Sequence, residues 1–191
     1  MPFKSRKKTA ASSSAAKTSK YSSKSLKDYS LELEEYQKNG LIKSFLLPSS
    51  KDEHTSKLGN KKVYIDDILF DSIIESRFYI LLLKSAKAKK IKSFELQKEF
   101  VLQPAFKKNN QTIRKISYFA DFVVHGIDGK TDVIDVKGIE TDVFKIKKKL
   151  FEYVYPNLNL VCYKYIAKDK KWCTSNEYAK LKKQSKKKVN K

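Results

Sequence analysis

Three side chains in the second half of the chain could do chemistry together. Asp121 lies in Tyr118-Phe119-Ala120-Asp121-Phe122-Val123-Val124-His125, and Asp135 and Lys137 lie in Thr131-Asp132-Val133-Ile134-Asp135-Val136-Lys137-Gly138. Two carboxylates held close together repel, and a hard divalent cation that prefers oxygen ligands, Mg2+ or Mn2+, offsets the repulsion. A lysine beside them supplies a charge that can hold an attacking water or stabilise negative charge developing on a phosphate.

The three residues meet only if their segments pair in the right register. Both alternate as strands do, and Gly126-Ile127-Asp128-Gly129-Lys130 joins them with turn residues, so an antiparallel hairpin is expected. A three-residue loop Ile127-Asp128-Gly129, with Gly129 in the left-handed conformation, sets Gly126 opposite Lys130 and therefore Asp121 opposite Asp135. Their Cα atoms would then be about 4.5–5.5 Å apart. Lys137, two residues beyond Asp135, shares its face. A two-residue Asp128-Gly129 loop would instead put the aspartates on opposite faces. An isolated Asp-x-Lys is usually a surface ion pair. Here Phe119, Val123 and Val133 are expected on the same face as the charges, which makes that face half-buried rather than solvated.

A fourth acid, Glu75, has two readings. Ser72 and Glu75 form a Ser-x-x-Glu capping box, which gives Glu75 a structural task at a helix start. The same residue shares a helical stripe with Phe78, Tyr79 and Leu82, so it also starts near the face that packs on the sheet and can serve the metal.

The elements that must position these residues form a mixed α/β (α+β) pattern in the order α-β-β-β-α-β, with additions at both ends. Residues 1–27 read as a disordered basic arm of Ser, Ala and Lys. Residues 28–60 read as an accessory helix with Gly40 as its stop, followed by a polar linker from Pro48 to Asn60. The core is expected over 61–181. It opens with a short hairpin, Val63-Tyr64-Ile65 and Ile68-Leu69-Phe70, and a buried helix from Ser72 to about Lys90. Strands follow over Phe94 to Phe106, with a bulge or bend near Lys98, then Ile113 to His125 and Thr131 to Lys137. Thr141-Asp142 caps a second helix reaching Tyr155, with Val143, Ile146, Leu150 and Val154 along one face, and Pro156 ends it. A strand over Leu158 to Ile166 and a helix over Thr174 to Lys183 complete the core. Residues 182–191 read as a lysine-rich tail.

Composition narrows the partners. Of 191 residues, 42 are Lys or Arg and 21 are Asp or Glu, a formal net charge of +21. That excess must attract a polyanion, either nucleic acid or an anionic membrane. No apolar run approaches the roughly 20 residues of a spanning helix, and Met1-Pro2-Phe3-Lys4 opens no signal-peptide core. A soluble, cytoplasmic protein without membrane contact is therefore expected. Cys162 and Cys173 are too far apart for a Cys-x-x-Cys motif and read as reduced thiols. With His54 and His125 also isolated, any metal would be held by carboxylates rather than by a zinc-type His/Cys set.

These residues, in this order, resemble the PD-(D/E)XK nuclease superfamily. They are most similar to a phage and prophage family of small basic proteins placed in it. The similarity covers about Lys62 to Tyr155. It rests on Phe70-Asp71-Ser72 with Glu75, Leu96-Gln97, Leu102-Gln103-Pro104, Tyr118 with Asp121-Phe122, Asp135-Val136-Lys137-Gly138, and Thr141-Asp142-Val143-Phe144 leading to Lys147, Lys149, Leu150 and Phe151. Asp135 stands where Glu is commoner, and no Pro precedes Asp121. The resemblance implies a restriction-endonuclease-like core in which Asp121, Asp135 and Glu75 bind magnesium and Lys137 completes the catalytic set. It implies hydrolysis of DNA phosphodiesters to leave a 5′-phosphate. Relatives that resolve Holliday junctions imply branched DNA in phage recombination, replication or processing as substrate, and a homodimer as the working unit. Lys145, Lys148, Lys149 and the tails would then carry the DNA backbone. Two other classes stay open: a basic DNA- or RNA-binding protein without catalysis, and an RNA-directed nuclease or ribosome-associated protein.

Overall fold

The computed structural model of the chain describes residues 23–47 and 61–189. Residues 1–22 of the basic arm, the whole linker over 48–60, and residues 190–191 lie outside the described residues.

Amphipathic helices and alternating strands arrange themselves around a five-stranded main sheet, with a three-stranded and a two-stranded sheet beside it. The elements run α1 (Ser23–Lys38), β1 (Phe45–Leu46), β2 (Val63–Ile65), β3 (Ile68–Phe70), α2 (Ile73–Lys87), β4 (Ile91–Gln103), β5 (Phe106–Lys108), β6 (Gln111–Ile113), β7 (Ile116–Gly126), β8 (Thr131–Val136), α3 (Asp142–Val154), β9 (Asn159–Ile166), β10 (Lys171–Thr174) and α4 (Ser175–Val189). The main sheet has the order β10-β9-β8-β7-β4. Among the described residues only β8 and β9 pair in parallel; the β-α-β crossover through α3 makes that possible, since parallel neighbours need a long connection. The fold is thus mixed α/β, and its central series α2-β4-β7-β8-α3-β9 is the expected α-β-β-β-α-β order, with β5 and β6 as an insertion.

Side chains alternate across the sheet and build a core on each side. On one side α2 contributes Ile73, Phe78, Tyr79 and Leu82, which meet Phe122, Val124, Ile134 and Val136. On the other, Phe144 and Phe151 of α3 meet Tyr118, Ala120, Val123, Val133, Leu160 and Cys162.

That alternation breaks at one place. On β7, Ala120 faces α3 whereas Phe122 faces α2, although they are two residues apart. On β4, Phe94 and Leu96 pack on the α2 side and Phe100 and Leu102 on the α3 side. The pairing Leu96↔Phe122 and Lys98↔Ala120 keeps its register across the break, so both strands change face together. Gln97, directly opposite Asp121, has φ 47°; a left-handed residue inside a strand reverses which way the next side chains point. The bend expected near Lys98 is this residue.

Several expectations need correction. The helix read as accessory buries Tyr29 and Leu33 completely, and Tyr29 Oη lies 2.9 Å from Ser76 Oγ of α2, so α1 belongs to the core. It begins at Ser23, which removes residues 23–27 from the expected disordered arm. The lysine-rich segment from Lys182 continues α4 to Val189 rather than leaving as a tail. Strand β10 and the hairpin β5–β6 were not expected; Asn109 and Asn110 at φ 49° and 59° make its two-residue turn. Phe119, expected beside the charges, is 60% exposed because of the change of face before Asp121. On α3 the buried residues are Phe144 and Phe151, while Val143 and Ile146 are more than half exposed and Val154 is also at the surface. The larger rings won the core side of that helix, as their greater apolar area dictates.

The left-handed strand residue gives a test. Gln97 is exposed, so replacing it changes backbone preference with little change in packing. Gln97→Val should lower unfolding free energy by about 1–3 kcal/mol, because a β-branched residue resists positive φ, while Gln97→Gly should be neutral or stabilising. Urea denaturation of the two variants measures the difference.

Candidate active site

The hairpin has the register that brings the two aspartates together. Gly126 N–H donates to Lys130 O (2.8 Å), Gly129 has φ 80°, and His125↔Thr131 through Phe122↔Ile134 are paired. The three-residue loop is therefore the one formed. The next step of that register sets Asp121 across from Asp135, but the backbone ladder stops at Phe122↔Ile134. Beyond it the Asp121 side chain takes over, its Oδ2 accepting from Val136 N–H at 2.6 Å. Asp135 instead pairs along β9 with Cys162.

Asp135 is completely buried. Tyr118 Oη donates to its Oδ1 at 2.5 Å, and Lys137 Nζ lies 2.9 Å from its Oδ2. That ion pair lacks hydrogen-bond geometry, and Oδ2 has no other partner. Lys137 Nζ also sits 4.9 Å from the centre of the Phe144 ring. Burial pulls the Lys137 ammonium down, but Asp135 and then Asp121 hold its pKa above the ordinary value, so it stays charged. Tyr118 is driven far above the ordinary phenol range by burial and by the Asp135 charge. It remains a proton donor to Asp135 at any physiological pH.

Glu75 approaches from the α2 side. The capping reading holds: Glu75 N–H donates to Ser72 Oγ (3.2 Å), Ser72 Oγ donates to Oε1 (2.8 Å), and Asp71 N–H donates to Oε2 (3.3 Å). Burial raises its pKa, and the charges of Asp71 and Asp135 add to the rise. Asp121 stands between the other two acids in electrostatic terms. Burial first, then Asp135 and Glu75, push its carboxyl up to about 8. The local positive charge is thus insufficient for the acids present, and a hard cation between Asp121 and Asp135 would make up the deficit. Among the described residues no three acids already stand at metal-ligand spacing. The two aspartates fit a metal by their charge and hard oxygen donors, with Asp135 Oδ2 shared with Lys137 at 2.9 Å; Glu75, with both oxygens engaged at the cap, contributes field more directly than a free ligand.

The lysines expected on nucleic acid are not equivalent. Lys145 Nζ pairs with Asp142 at 2.8 Å, Lys148 Nζ lies 3.8 Å from Glu152, and Lys149 is exposed. Lys147 turns inward to donate to Ser117 O at 2.7 Å. The residue that sequence reasoning left without a role is Tyr118. Strict alternation puts an even-numbered neighbour on the face opposite Asp135, and only the break at Gln97 and Asp121 brings its hydroxyl to that carboxylate. Cys162 and Cys173 are free and buried, and burial pushes the Cys162 thiol up to about 11, which keeps it protonated. No described helix is long and apolar enough to cross a membrane.

The raised Asp121 carboxyl has a consequence for stability. The folded state holds this proton between the ordinary carboxyl pKa, near 4, and about 8. The folded chain therefore binds more protons than the unfolded chain in that window, so the contribution of Asp121 is most favourable below it and is lost as pH rises through it. In chelator, Tm should fall between pH 5 and about 8 more steeply for the native sequence than for Asp121→Asn. Thermal unfolding monitored by circular dichroism across that range decides it, and equal slopes would contradict the assignment.

Comparison with known proteins adds a family without adding a function. No curated protein matches the sequence. A family model described as "Protein of unknown function (DUF1064)" matches residues 55–174, a span that contains α2, the whole of β4 to β9, and all four candidate site residues. The chain therefore belongs to the DUF1064 family of proteins of unknown function.

Proposed function

We propose that this protein is a metal-dependent endonuclease of the PD-(D/E)XK kind, acting on DNA. The observation that carries the reading is the buried Asp135, held by Tyr118 on one oxygen and facing Lys137 with the other, beside an Asp121 whose charge is under-compensated. A purely structural ion pair gains nothing from a second buried acid beside it, because the added carboxylate brings desolvation and repulsion that the one lysine must offset.

In this reading Asp121 and Asp135 hold Mg2+ or Mn2+, which when bound neutralises charge on the scissile phosphate and favours ionisation of the attacking water. Tyr118 fixes the orientation of Asp135 through its hydroxyl. Lys137 keeps a permanent positive charge beside the phosphate and orients the water that attacks phosphorus as the P–O3′ bond breaks, leaving the phosphate on the 5′ end. Glu75 raises the negative potential that draws the cation in while it secures the start of α2. Lys145, Lys148 and Lys149, with the basic termini, would neutralise backbone phosphates, so binding should weaken steeply with salt. Branched DNA as substrate, action in the host cytoplasm on phage DNA, and a homodimer belong to the same proposal. They rest on the resemblance alone, since a fold does not fix a substrate.

The absence of three acids at ligand spacing among the described residues favours a second reading, a basic nucleic-acid-binding protein in which the acids are structural. One assay separates the two. The full chain is offered supercoiled plasmid, linear duplex, a four-way junction, single strands and RNA, in magnesium and in chelator. Cleavage is expected in magnesium only, and cleavage that persists in chelator contradicts the metal role.

Substitutions refine the assignment. Asp135→Asn should abolish cleavage while DNA binding is kept, and Lys137→Ala should lower the rate by about a hundredfold or more. Tyr118→Phe, which removes only the hydroxyl on Asp135, should cost roughly ten- to a hundredfold. If Asp135→Asn cleaves as fast as the native sequence, the site is misassigned.

A further inference from the structure

A second concave surface lies between α1, α2 and the β9–β10 hairpin, and shares no residue with the Asp121–Asp135 site. Its cavity measures about 390 Å³, within the roughly 300–1,000 Å³ of small-ligand sites. Four aromatic rings line it: Tyr29, Tyr36, Tyr165 and Trp172. Tyr165 and Trp172 stand 5.0 Å apart, centre to centre, and Trp172 is braced edge-on against Phe78 at 4.9 Å. Such braced rings are rigid surfaces for stacking.

Charge on these walls is unbalanced. Arg77 is only 15% exposed; its guanidinium lies 4.1 Å from the Tyr29 ring centre and 2.8 Å from Glu32, and its Nε has no acceptor. Lys170 Nζ reaches the same carboxylate at 3.8 Å. Glu32 is thus shared by two cations. Lys84 Nζ sits 4.0 Å from the Tyr36 ring centre and has no carboxylate partner among the described residues. A ligand complementary to this cavity has a flat π face for the rings and a negative charge for Lys84 and Lys170. A second cation would be repelled, and a purely apolar ligand would leave the lysines unused.

We propose that this cavity binds an unstacked nucleotide, with its base against Tyr36, Tyr165 and Trp172 and its phosphate at Lys84 and Lys170. The nucleotide can come from two sources, a free mononucleotide or an unpaired nucleotide of a strand. The site does not depend on the nuclease reading and operates without a metal.

Trp172 is the one tryptophan in the chain, so its fluorescence reports on this cavity alone. The full chain, kept in chelator so that nothing is cut, is titrated with dAMP, with a short single-stranded oligonucleotide, with a blunt duplex and with ribose 5-phosphate. Saturable quenching by dAMP supports a free nucleotide, and quenching by the oligonucleotide alone supports a strand. Lys84→Glu and Tyr36→Leu should each weaken the interaction roughly tenfold, in the range that loss of one base-stacking ring produces. Far-ultraviolet circular dichroism checks that both variants fold, and Lys84, being exposed, provides the safer of the two. Three results would overturn the proposal: no quenching by either nucleotide probe, equal quenching by ribose 5-phosphate or blunt duplex, or quenching that neither substitution alters.

Discussion

The paired change of face at Gln97 and Asp121 is the constraint on which the candidate site depends. Without it, strict alternation from Phe122 and Val124 would point Tyr118 and Ala120 toward α2 and away from Asp135. Because β4 and β7 change face together, the ladder loses no register, and the cost falls on one left-handed residue, Gln97. The return is local. Where β7 and β8 part, Asp121 substitutes a carboxylate for a ladder carbonyl at Val136 N–H, and there it feels the charges of Asp135 on β8 and Glu75 in the first turn of α2. A regular strand pair would have paired those backbone groups with each other and left Val136 N–H to a carbonyl rather than to Asp121.

Electrostatics then follow from burial. Asp135 at 0% exposure can stay in the fold because Tyr118 and Lys137 address its two oxygens separately. Burial first, and then the charges of Asp135 and Glu75, shift the Asp121 carboxyl upward, against the one backbone donor it has at Val136. The imbalance is local to the site, since the chain as a whole carries a net charge of +21. In the proposed function, this local excess of acid would attract a small cation while the basic remainder of the chain would attract a polyanion. Tyr118, placed by the strand irregularity, links the fold to this electrostatic arrangement more directly than any other side chain.

Much of this was legible in the sequence because it rests on local rules. Gly129 and the length of the Ile127-Asp128-Gly129 loop determined the hairpin register, and with it the meeting of Asp121 and Asp135. Ser72 and Glu75 marked the start of α2, as Thr141 marked that of α3. What could not be read was set by tertiary packing. No propensity requires Gln97 to adopt positive φ, so the exposure of Phe119 and the approach of Tyr118 were hidden. On α3, aliphatic spacing pointed to Val143, Ile146 and Val154, yet Phe144 and Phe151 took the core because the hollow beneath them is lined by Phe100, Tyr118 and Tyr155. The imperfect apolar spacing of α1 points to an accessory helix, whereas Tyr29 and Leu33 are completely buried and the Tyr29 hydroxyl reaches Ser76 of α2. Short strands such as β10 carry too little pattern to be distinguished from a loop.

The central claim is that Asp121 and Asp135 together form a cation site. Its most direct test is anomalous scattering from crystals of the full chain soaked in Mn2+. The account predicts an anomalous peak between the two carboxylates, lost when Asp135 is replaced by Asn. A peak elsewhere, or none at that position under Mn2+ concentrations that saturate comparable carboxylate sites, would contradict it.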